Sequence, residues 1–439
     1  MSLRKLDRKL IALCAIIFLA DIVLGLLVST FSVYARVSGT TLATIGLINT
    51  VAGLINLGAA IPLGTLSDRV GRFRLLSGGL LAFAMAMLVL GLSASAPALW
   101  FGKLLFGLGS VAVFQTGHAL VGDLTRPDQR HFAFGLLSTC MALGYGLGPF
   151  LGGILTDHLG HVFAYLLAVL VALAAGYLAA RTFPAVPNSA KQKVRAASAL
   201  FDGVRLICGT PDHLLVTFAN MMMGLTFSAA LGTFLPLYGR ELALSQTTIG
   251  TMFAIRSGVS ALGRMPNSLL AKRIGNLPVM LVALALDAVA MFGICWTKNP
   301  GTIIALLAID GLAYGGFVVS GQTYLSNRTT TANRGSTGGV YAMASGIAGT
   351  AGPSLLAMVA ERWGLRFVFG ATGAALGLGA MTFASGITVL RAKKSSASKA
   401  RVEIALTKQS ELQNRDMNPP EFKSLVVGAS SEPTHLGSV

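Results

Sequence analysis

Residues 144–153 read GYGLGPFLGG, and residues 348–357 read AGTAGPSLLA. Both stretches lie within long apolar segments, and each contains a Gly-Pro pair, at Gly148-Pro149 and at Gly352-Pro353. The two pairs are 204 positions apart. Because proline removes a backbone hydrogen-bond donor and bends a helix, the same bend is predicted at the same place in two segments. The chain is therefore expected to contain two related halves.

The same offset of 204 residues aligns the two halves of the chain without a gap. Identical residues meet along the alignment, at Tyr34/Tyr238, Arg36/Arg240, Thr44-Ile45-Gly46/Thr248-Ile249-Gly250, Arg69/Arg273, Gly71/Gly275, Gly107/Gly311, Arg130/Arg334, Gly135/Gly339, Gly160/Gly364 and Phe163/Phe367. Single matches mean little in a chain with 52 glycines, but a series of matches at one offset indicates a true repeat.

The apolar segments have the length of membrane-spanning helices. Hydrophobic residues make up 54% of the chain and charged residues 12%, whereas soluble domains carry about 25% charged residues. A helix needs roughly 20 apolar residues to cross the hydrocarbon layer. The segments are too long, and lack the alternation, for a membrane β-barrel. We predict an all-α membrane protein with twelve transmembrane helices in two pseudo-symmetric six-helix bundles, at residues 10–34, 42–66, 73–94, 97–121, 132–156, 161–182, 211–238, 246–270, 277–296, 301–325, 336–360 and 366–390.

Lysine and arginine residues are concentrated on one side of the predicted bundles. Of the 34, 26 lie in the two termini and in or beside the loops after even-numbered helices, five lie in or beside the loops after odd-numbered helices, and three lie deep inside helices. Since cytoplasmic loops carry the excess of basic residues, both termini are predicted to be cytoplasmic. The net charge of +17 is thus a sign of membrane topology, and no nucleic-acid partner is expected.

Four regions follow from this reading. Residues 1–182 form the first six-helix bundle, 183–210 a cytoplasmic linker, 211–390 the second bundle, and 391–439 a polar cytoplasmic tail that is predicted to be disordered. The predicted location is the inner (plasma) membrane of a bacterium, as a multi-pass protein.

The segment between the second and third predicted helices reads GTLSDRVGRFR and contains Gly64, Asp68, Arg69, Gly71 and Arg72. It resembles the loop signature G-x-x-x-D-R-x-G-R-[RK] of the major facilitator superfamily, with Phe73 in place of a second basic residue. The resemblance implies the major facilitator fold, with a substrate site between the halves that is exposed alternately to either side. It also implies that this loop pairs with Asp123 at the end of the fourth helix as a conformational latch. The alternative is that the loop only anchors the topology.

The fifth predicted helix resembles the signature g-x-x-x-G-P-x-x-G-G of the drug:proton antiporter branch of that superfamily, through Gly144, Gly148, Pro149, Gly152 and Gly153. The resemblance implies export by exchange with protons, while the alternative is a generic flexible interface. Small residues at one helix face allow close packing. In the fourth helix, Lys103 stands where the branch has an arginine, so the part that this arginine plays in proton transfer is not carried over.

Ionisable residues at membrane depth cost about 2.5–3.5 kcal/mol each, so each needs an explanation. Six are present, Asp21, Lys103, Arg256, Arg264, Asp287 and Asp310, and none has a charged counterpart at the 204-residue offset. We predict that Asp21 and Asp310 couple transport to protons, with Arg256 as a counter-ion. The alternative for each carboxylate is a permanently paired structural charge. Asp287 is predicted to be structural, because its helix is peripheral in the superfamily.

The first, fourth, seventh and tenth helices line the cavity in proteins of this superfamily. Helical spacing then places the candidate cavity residues on common helix faces. Besides Arg256, these candidates are Lys103, Ser110, Phe114, Asn220, Phe227, Tyr314 and Phe317.

The leading hypothesis is a secondary active transporter that exports a small amphipathic or apolar compound in exchange for protons. The alternatives are a symporter or facilitator that imports a metabolite on the same fold, and a membrane receptor or enzyme without transport activity. The chain lacks an ATP-binding loop of the G-x-x-x-x-G-K-[ST] type, and its four cysteines lack metal-ligand spacing. We therefore expect no catalytic residues, no cofactor and no metal. The expected partners of this predicted monomer are the lipid bilayer, a small-molecule substrate and protons.

Overall fold

The computed structural model describes residues 8–126, 129–183, 196–329 and 333–417, and the regular secondary structure in these ranges is helical. The first half comprises α1 (Arg8–Val37), α2 (Leu42–Val70), α3 (Arg72–Leu92), α4 (Ala96–Leu124) and α5 (Arg130–Thr182), and is followed by α6 (Ala196–Gly209). In the second half, α7 (Pro211–Gly224) continues through a π-helical segment (Leu225–Phe234) into α8 (Leu235–Glu241). The remaining helices are α9 (Gln246–Ile274), α10 (Asn276–Trp296), α11 (Pro300–Arg328), α12 (Arg334–Trp363) and α13 (Arg366–Met417).

Twelve membrane crossings can be assigned to these helices. Ten helical segments of the described chain are long and apolar enough to cross a membrane. One of them, Phe132–Thr182, has 51 residues and is broken at Gly160, so it supplies two crossings. The 29-residue helix α9 has the length of a crossing but a lower hydropathy, because it contains several polar and charged residues. The fold is therefore the predicted all-helical membrane fold.

Two segments outside the predicted membrane helices contain helix. Helix α13 continues to Met417, so residues 391–417 of the predicted disordered tail are helical, while residues 418–439 lie outside the described residues. The predicted linker, 183–210, contains the short helix α6. By its contacts the chain divides into two units, Met1–Ala384 and Ser385–Val439, and all the features described below belong to the first unit.

Four turns confirm the repeat in the backbone itself. Gly71 and Gly275 have φ values of 102° and 93°, and Gly160 and Gly364 have values of 85° and 99°. Such values favour glycine because a side chain would meet the backbone. We call the end of the bundle with Gly71 and Gly275 the inner face, and the end with Gly160 and Gly364 the outer face, because the charge distribution predicts these positions relative to the cytoplasm.

The two halves pack together through α5 against α9 and through α2 against α12. A methyl group added to Gly250 would lie 2.2 Å from the carbonyl oxygen of Pro149, and one added to Gly46 would lie 2.7 Å from that of Pro353. The two contacts are equivalent under the 204-residue offset. The repeat therefore shapes the interface between the halves as well as each half.

Carboxylates reinforce both contacts at the outer face. Asp157 at the end of the first part of α5 accepts hydrogen bonds from the backbone N–H groups of Gln246 (3.0 Å) and Thr247 (2.7 Å), at the start of α9. Glu361 of α12 accepts one from the N–H group of Ala43 (2.9 Å), at the start of α2. The first N–H groups of a helix have no partner within the helix, and an anion there also interacts favourably with the helix dipole.

Candidate substrate and proton site

A buried ion pair between Arg256 of α9 and Asp310 of α11 lies in the core of the second half. Nε and Nη2 of Arg256 both donate to the Asp310 carboxylate, the second at 3.5 Å. The two side chains are only 3% and 1% exposed. Buried charges are tolerated only when they are paired and hydrogen-bonded, so each residue compensates the cost of burying the other. The structure thus pairs the predicted counter-ion with one of the two predicted proton-coupling carboxylates.

Aromatic rings cover this ion pair. Phe227 and Tyr314 stack with their ring centroids 5.3 Å apart and their planes at 10°. The guanidinium carbon of Arg256 lies 5.2 Å from the ring centroid of Phe227 and 5.0 Å from that of Tyr314. A cation at this distance is attracted to the faces of aromatic rings. Tyr145 of α5 adds a third ring, 5.4 Å from Phe227, so the first half also reaches this site.

Two cavities flank the stacked rings. The central cavity has a volume of about 290 Å³ and is lined from both halves by residues that include Val28, Asn56, Lys103, Tyr145, Phe227 and Thr350. The inner cavity has a volume of about 380 Å³ and is lined by residues that include Asn220, Tyr314, Gln322, Thr337 and Tyr341. Since Phe227 lines the first cavity and Tyr314 lines the second, the stacked pair lies between them.

Asp287 of α10, predicted to be structural, lies beside the same ion pair. Its side chain is fully buried and interacts directly with that of Asp310. The hydroxyl group of Thr226, in the π-helical segment, donates to Oδ2 of Asp287 at 3.0 Å. Asp287 lies on the face of α10 that packs toward α11. Its charge in an apolar helix marked Asp287 in the sequence, but helical spacing did not indicate its contact with Asp310.

Asp21 of α1 is buried against α5. Its side chain is 3% exposed, and a methyl group added to Gly144 would lie 2.8 Å from its Cβ atom. Within the described part of the chain, Oδ2 of Asp21 has no hydrogen-bond partner. Tyr145 follows Gly144 in α5, and its ring lies 5.4 Å from that of Phe227, so α5 contacts both Asp21 and the rings over the ion pair.

Three further predicted cavity residues lie at or next to the cavities. Lys103 lines the central cavity, with Nζ 4.5 Å from the ring centroid of Phe31. Ser110 donates a hydrogen bond of 2.8 Å to Asn56, which lines the same cavity. Asn220 lines the inner cavity, and its Nδ2 atom donates to the backbone carbonyl of Tyr341 at 2.7 Å.

The other two predicted cavity residues have different surroundings. Phe114 packs against Phe83 of α3, with ring centroids 6.4 Å apart, and does not line the central or the inner cavity. Phe317 is fully buried in the protein core and also lies outside the lining of both cavities. Helical spacing placed Phe114 about three turns from Lys103 and Phe317 about two turns from Asp310, on the same faces. Neighbouring helices cover those parts of the faces.

At the inner face, Nη1 of Arg72 lies 2.5 Å from Oδ2 of Asp123. This ion pair joins the start of α3 to the end of α4, so it lies within the first half. Gly71 forms the turn between α2 and α3 with its positive φ. The surroundings of the other predicted latch residues, Gly64, Asp68 and Arg69, lie outside what the structure describes.

The glycines of the fifth-helix signature divide between two neighbours. Gly144, Gly148 and Gly152 face α1, where a methyl group on Gly148 would lie 2.3 Å from the carbonyl oxygen of Ile22. Gly153 faces α9 instead, where a methyl group would lie 2.3 Å from the carbonyl oxygen of Gln246. One face of the signature therefore packs against α1 in its own half. The other face, with Gly153 and the carbonyl group of Pro149, packs against α9 in the opposite half.

A sequence profile described as the Major Facilitator Superfamily matches residues 13–239 and, a second time, residues 214–429. The chain belongs to the major facilitator superfamily. One profile thus covers each half of this transporter in turn, in agreement with the 204-residue repeat. Membership makes the chain a multi-pass membrane transporter and not an enzyme, as the loop and fifth-helix signatures implied.

This major facilitator transporter is 27% identical to the multidrug resistance protein MdtG of Salmonella arizonae over 332 residues, which cover 74% of the chain and 80% of MdtG. Its fold is similar to that of a bacterial homologue of the human lysosomal transporter Spinster in an inward-facing, unoccupied conformation, with a TM-score of 0.71 at 16% identity, covering 87% of this chain and 97% of that one. The nucleoside transporter NupG gives a TM-score of 0.70 at 15% identity, covering 87% of this chain and 99% of NupG.

Proposed function

We propose that the protein exports a small amphipathic or apolar compound in exchange for protons. The observation that carries this proposal is the buried Arg256–Asp310 ion pair beneath the stacked rings of Phe227 and Tyr314, between the two cavities. Aromatic faces offer a large apolar surface to a ligand, and a few polar groups fix its orientation. The name of the related MdtG, a multidrug resistance protein, supports export.

In this proposal, proton exchange changes the partners of Arg256. When Asp310 is ionised it holds the guanidinium group of Arg256, and when it is protonated that attraction is lost. Arg256 then interacts more strongly with the rings of Phe227 and Tyr314, which lie within 5.2 Å of it. Asp21, with a buried oxygen that lacks a partner in the described chain, is the second proton-binding carboxylate. Ionisable residues inside membrane helices serve such proton relays.

We also infer that the end of α2 around Asp68, together with the Arg72–Asp123 ion pair, acts as a latch at the inner face. The ion pair itself joins α3 to α4, both of which belong to the first half. We place both termini in the cytoplasm of a bacterium, on the charge distribution, and treat the transporter as a monomer.

Transport into proteoliposomes under an imposed proton gradient tests the proposal. With a fluorescent amphipathic dye as the probe, we expect gradient-driven dye movement by the unmodified protein and loss of this movement when the gradient is dissipated. The variants Asp21→Asn and Asp310→Asn, tested separately, are expected to retain downhill flux and to lose the dependence on pH. Undiminished proton coupling in both variants would contradict the assignment of these carboxylates. Dye flux that is indifferent to the gradient in the unmodified protein would identify a facilitator instead.

A further inference from the structure

Asp287 has an incomplete set of hydrogen-bond partners. It is fully buried, and Thr226 is the donor to its Oδ2 atom. No donor in the described part of the chain reaches its Oδ1 atom. The neighbouring group is the carboxylate of Asp310, which when ionised only accepts hydrogen bonds. A buried acceptor without a donor is costly, so this site lacks one proton donor.

The charges of the cluster are also unequal. The groups that face Asp287 are Asp310 from α11, Arg256 from α9 and the hydroxyl group of Thr226 from the π-helical segment. Both donating nitrogens of Arg256 are directed at Asp310. Two ionised carboxylates and one guanidinium group leave a net negative charge in a buried environment, where an uncompensated charge is strongly unfavourable. One added proton makes the cluster neutral and supplies the missing donor.

We propose that Asp287 is a proton-binding residue of the transport cycle and shares its proton with Asp310 in the conformation described here. The inference rests on the proposed proton-coupled function and adds a residue to it. In the binding step an O–H bond forms between a proton and a carboxylate oxygen of Asp287. In the release step that bond breaks, the proton passes to water or to Asp310, and no electrons are transferred.

A metal ion fits this site less well than a proton does. Hard cations such as Ca²⁺ and Mg²⁺ take about six or more oxygen ligands, whereas Thr226 and the two carboxylates offer five oxygens, some already engaged by Arg256. In the described ranges, no group of three or more His, Cys, Asp or Glu side chains is arranged to hold a metal ion.

The π-helical segment connects the central cavity to Asp287. Thr226 and Phe227 are adjacent residues, and Thr226 contacts Asp287 while Phe227 lines the central cavity. A compound that displaces Phe227 therefore moves the backbone that carries the hydroxyl donor of Asp287. π-Helical turns are rare and are frequently found at functional sites. Substrate binding and proton release are thus mechanically connected through one peptide unit.

Infrared difference spectroscopy of the full-length protein in nanodiscs, with a pH step as the only stimulus, tests the proposal. The unmodified protein is expected to show carboxylic-acid C=O bands on acidification, and Asp287→Asn is expected to lose one of them. Asp123→Asn, which removes an exposed carboxylate at the inner face, is the matched control and is expected to retain that band. An unchanged carboxylic-acid spectrum in folded Asp287→Asn would overturn the proposal.

Thr226→Val provides a second measurement should Asp287→Asn fail to fold. It removes the hydroxyl donor and leaves the carboxyl group, so the Asp287 band is expected to shift in frequency, and a band that does not shift would count against the assignment. If sodium chloride removes the band at constant pH and choline chloride does not, Asp287 binds a metal ion in place of the proton, which would overturn the proposal. The spectrum is independent of dye transport, so loss of gradient-driven transport in the unmodified protein would refute the proposed function alone.

Discussion

Asp157 and Glu361 lie 204 residues apart, and each accepts a hydrogen bond from the first turn of a helix in the opposite half. Asp157 binds the N–H groups of Gln246 and Thr247 at the start of α9, and Glu361 binds that of Ala43 at the start of α2. Ala43 and Thr247 are themselves equivalent under the offset. The two carboxylates therefore perform the same task once in each direction across the interface, and they hold the outer ends of the halves together.

Replacing these carboxylates is expected to loosen the outer face. Asp157→Asn and Glu361→Gln each weaken a helix-capping interaction of about 1 kcal/mol, which changes the ratio of outward-open to closed protein about fivefold. The two sites are well separated, so the double variant should show the sum of both free-energy changes. Distances between spin labels at Val37→Cys and Trp363→Cys, in a cysteine-free background, measure the opening.

Glu241→Gln is the control for this experiment, because Glu241 is a carboxylate near the outer face that forms neither of these helix caps. Its distance distribution should match that of the unmodified protein. The interpretation fails if Glu241→Gln opens the outer face as much as Asp157→Asn and Glu361→Gln do.

The close contacts at Gly250 and Gly46 predict a second effect on the same interface. A methyl group in Gly250→Ala would lie 2.2 Å from a backbone oxygen, and one in Gly46→Ala would lie 2.7 Å from another, so the helices must separate. Overpacking of this kind costs about 1–3 kcal/mol. We expect both variants to disfavour the closed outer face and to slow transport of the amphipathic dye.

Gly258→Ala in α9 and Gly58→Ala in α2 are matched controls, because a methyl group at either position meets no atom within 4 Å. These two variants should transport the dye at the unmodified rate. Equal losses in Gly250→Ala and Gly258→Ala would show that helix flexibility, and not the contact between halves, is what the substitution changes.

The aromatic pair between the cavities predicts an effect on ligand affinity. Phe227→Ala and Tyr314→Ala each remove a ring that stacks on its partner and on Arg256, and each is expected to weaken dye binding about tenfold, as the loss of about 1–2 kcal/mol of ring contacts implies. Tyr314→Phe keeps the ring and should bind the dye with near-unmodified affinity if stacking is the main contribution. Fluorescence titration of the purified protein gives the dissociation constants.

Tyr177→Ala is the control for these substitutions. Tyr177 is an exposed aromatic residue whose ring centroid is 5.3 Å from the guanidinium carbon of Arg181, so it resembles the site residues in chemistry but not in position. Its removal should leave dye binding unchanged. Normal affinity in Phe227→Ala and Tyr314→Ala would exclude the stacked pair as part of the binding surface.

The Arg72–Asp123 ion pair is expected to contribute modestly, since its side chains are 27% and 53% exposed. Exposed ion pairs contribute about 0–1 kcal/mol. Arg72→Ala and Asp123→Asn should therefore slow transport by no more than about fivefold, with a combined effect smaller than the sum of the two. Transport rates of the two single variants and the double variant form the required cycle. Strictly additive losses would mean that the two residues act independently of their contact.

The repeat made the interface between halves predictable in part. Gly46, Gly250, Pro149 and Pro353 were all evident from the offset, and they meet in the structure as two equivalent contacts. The pairing of Arg256 with Asp310 was also predictable, because two opposite charges in apolar helices need partners. Which carboxylate pairs with Arg256 depends on how each helix is rotated about its own axis relative to its neighbours. Residue spacing along a single helix does not determine that rotation.

The neighbours of Asp287 and Phe114 could not be predicted from the spacing of residues along single helices. The average position of a helix in the bundle does not say which of its faces is turned inward, and Asp287 lies on the inward face of a peripheral helix. Phe114 shares a face with Lys103 by spacing, but α3 covers that end of the face. The π-helical segment changes the register of residues 225–234, and nothing in their apolar sequence marks the change.

The low hydropathy of α9 affects how the protein is assembled in the membrane. A segment enters the bilayer from the translocon largely according to its own hydropathy, and α9 carries both Arg256 and Arg264. The partner of Arg256 is Asp310, which is synthesised 54 residues later. When α9 leaves the ribosome its charge is still uncompensated, so its stable insertion has to wait for α11. We therefore expect the ion pair of the candidate site to govern the membrane insertion of the second half as well.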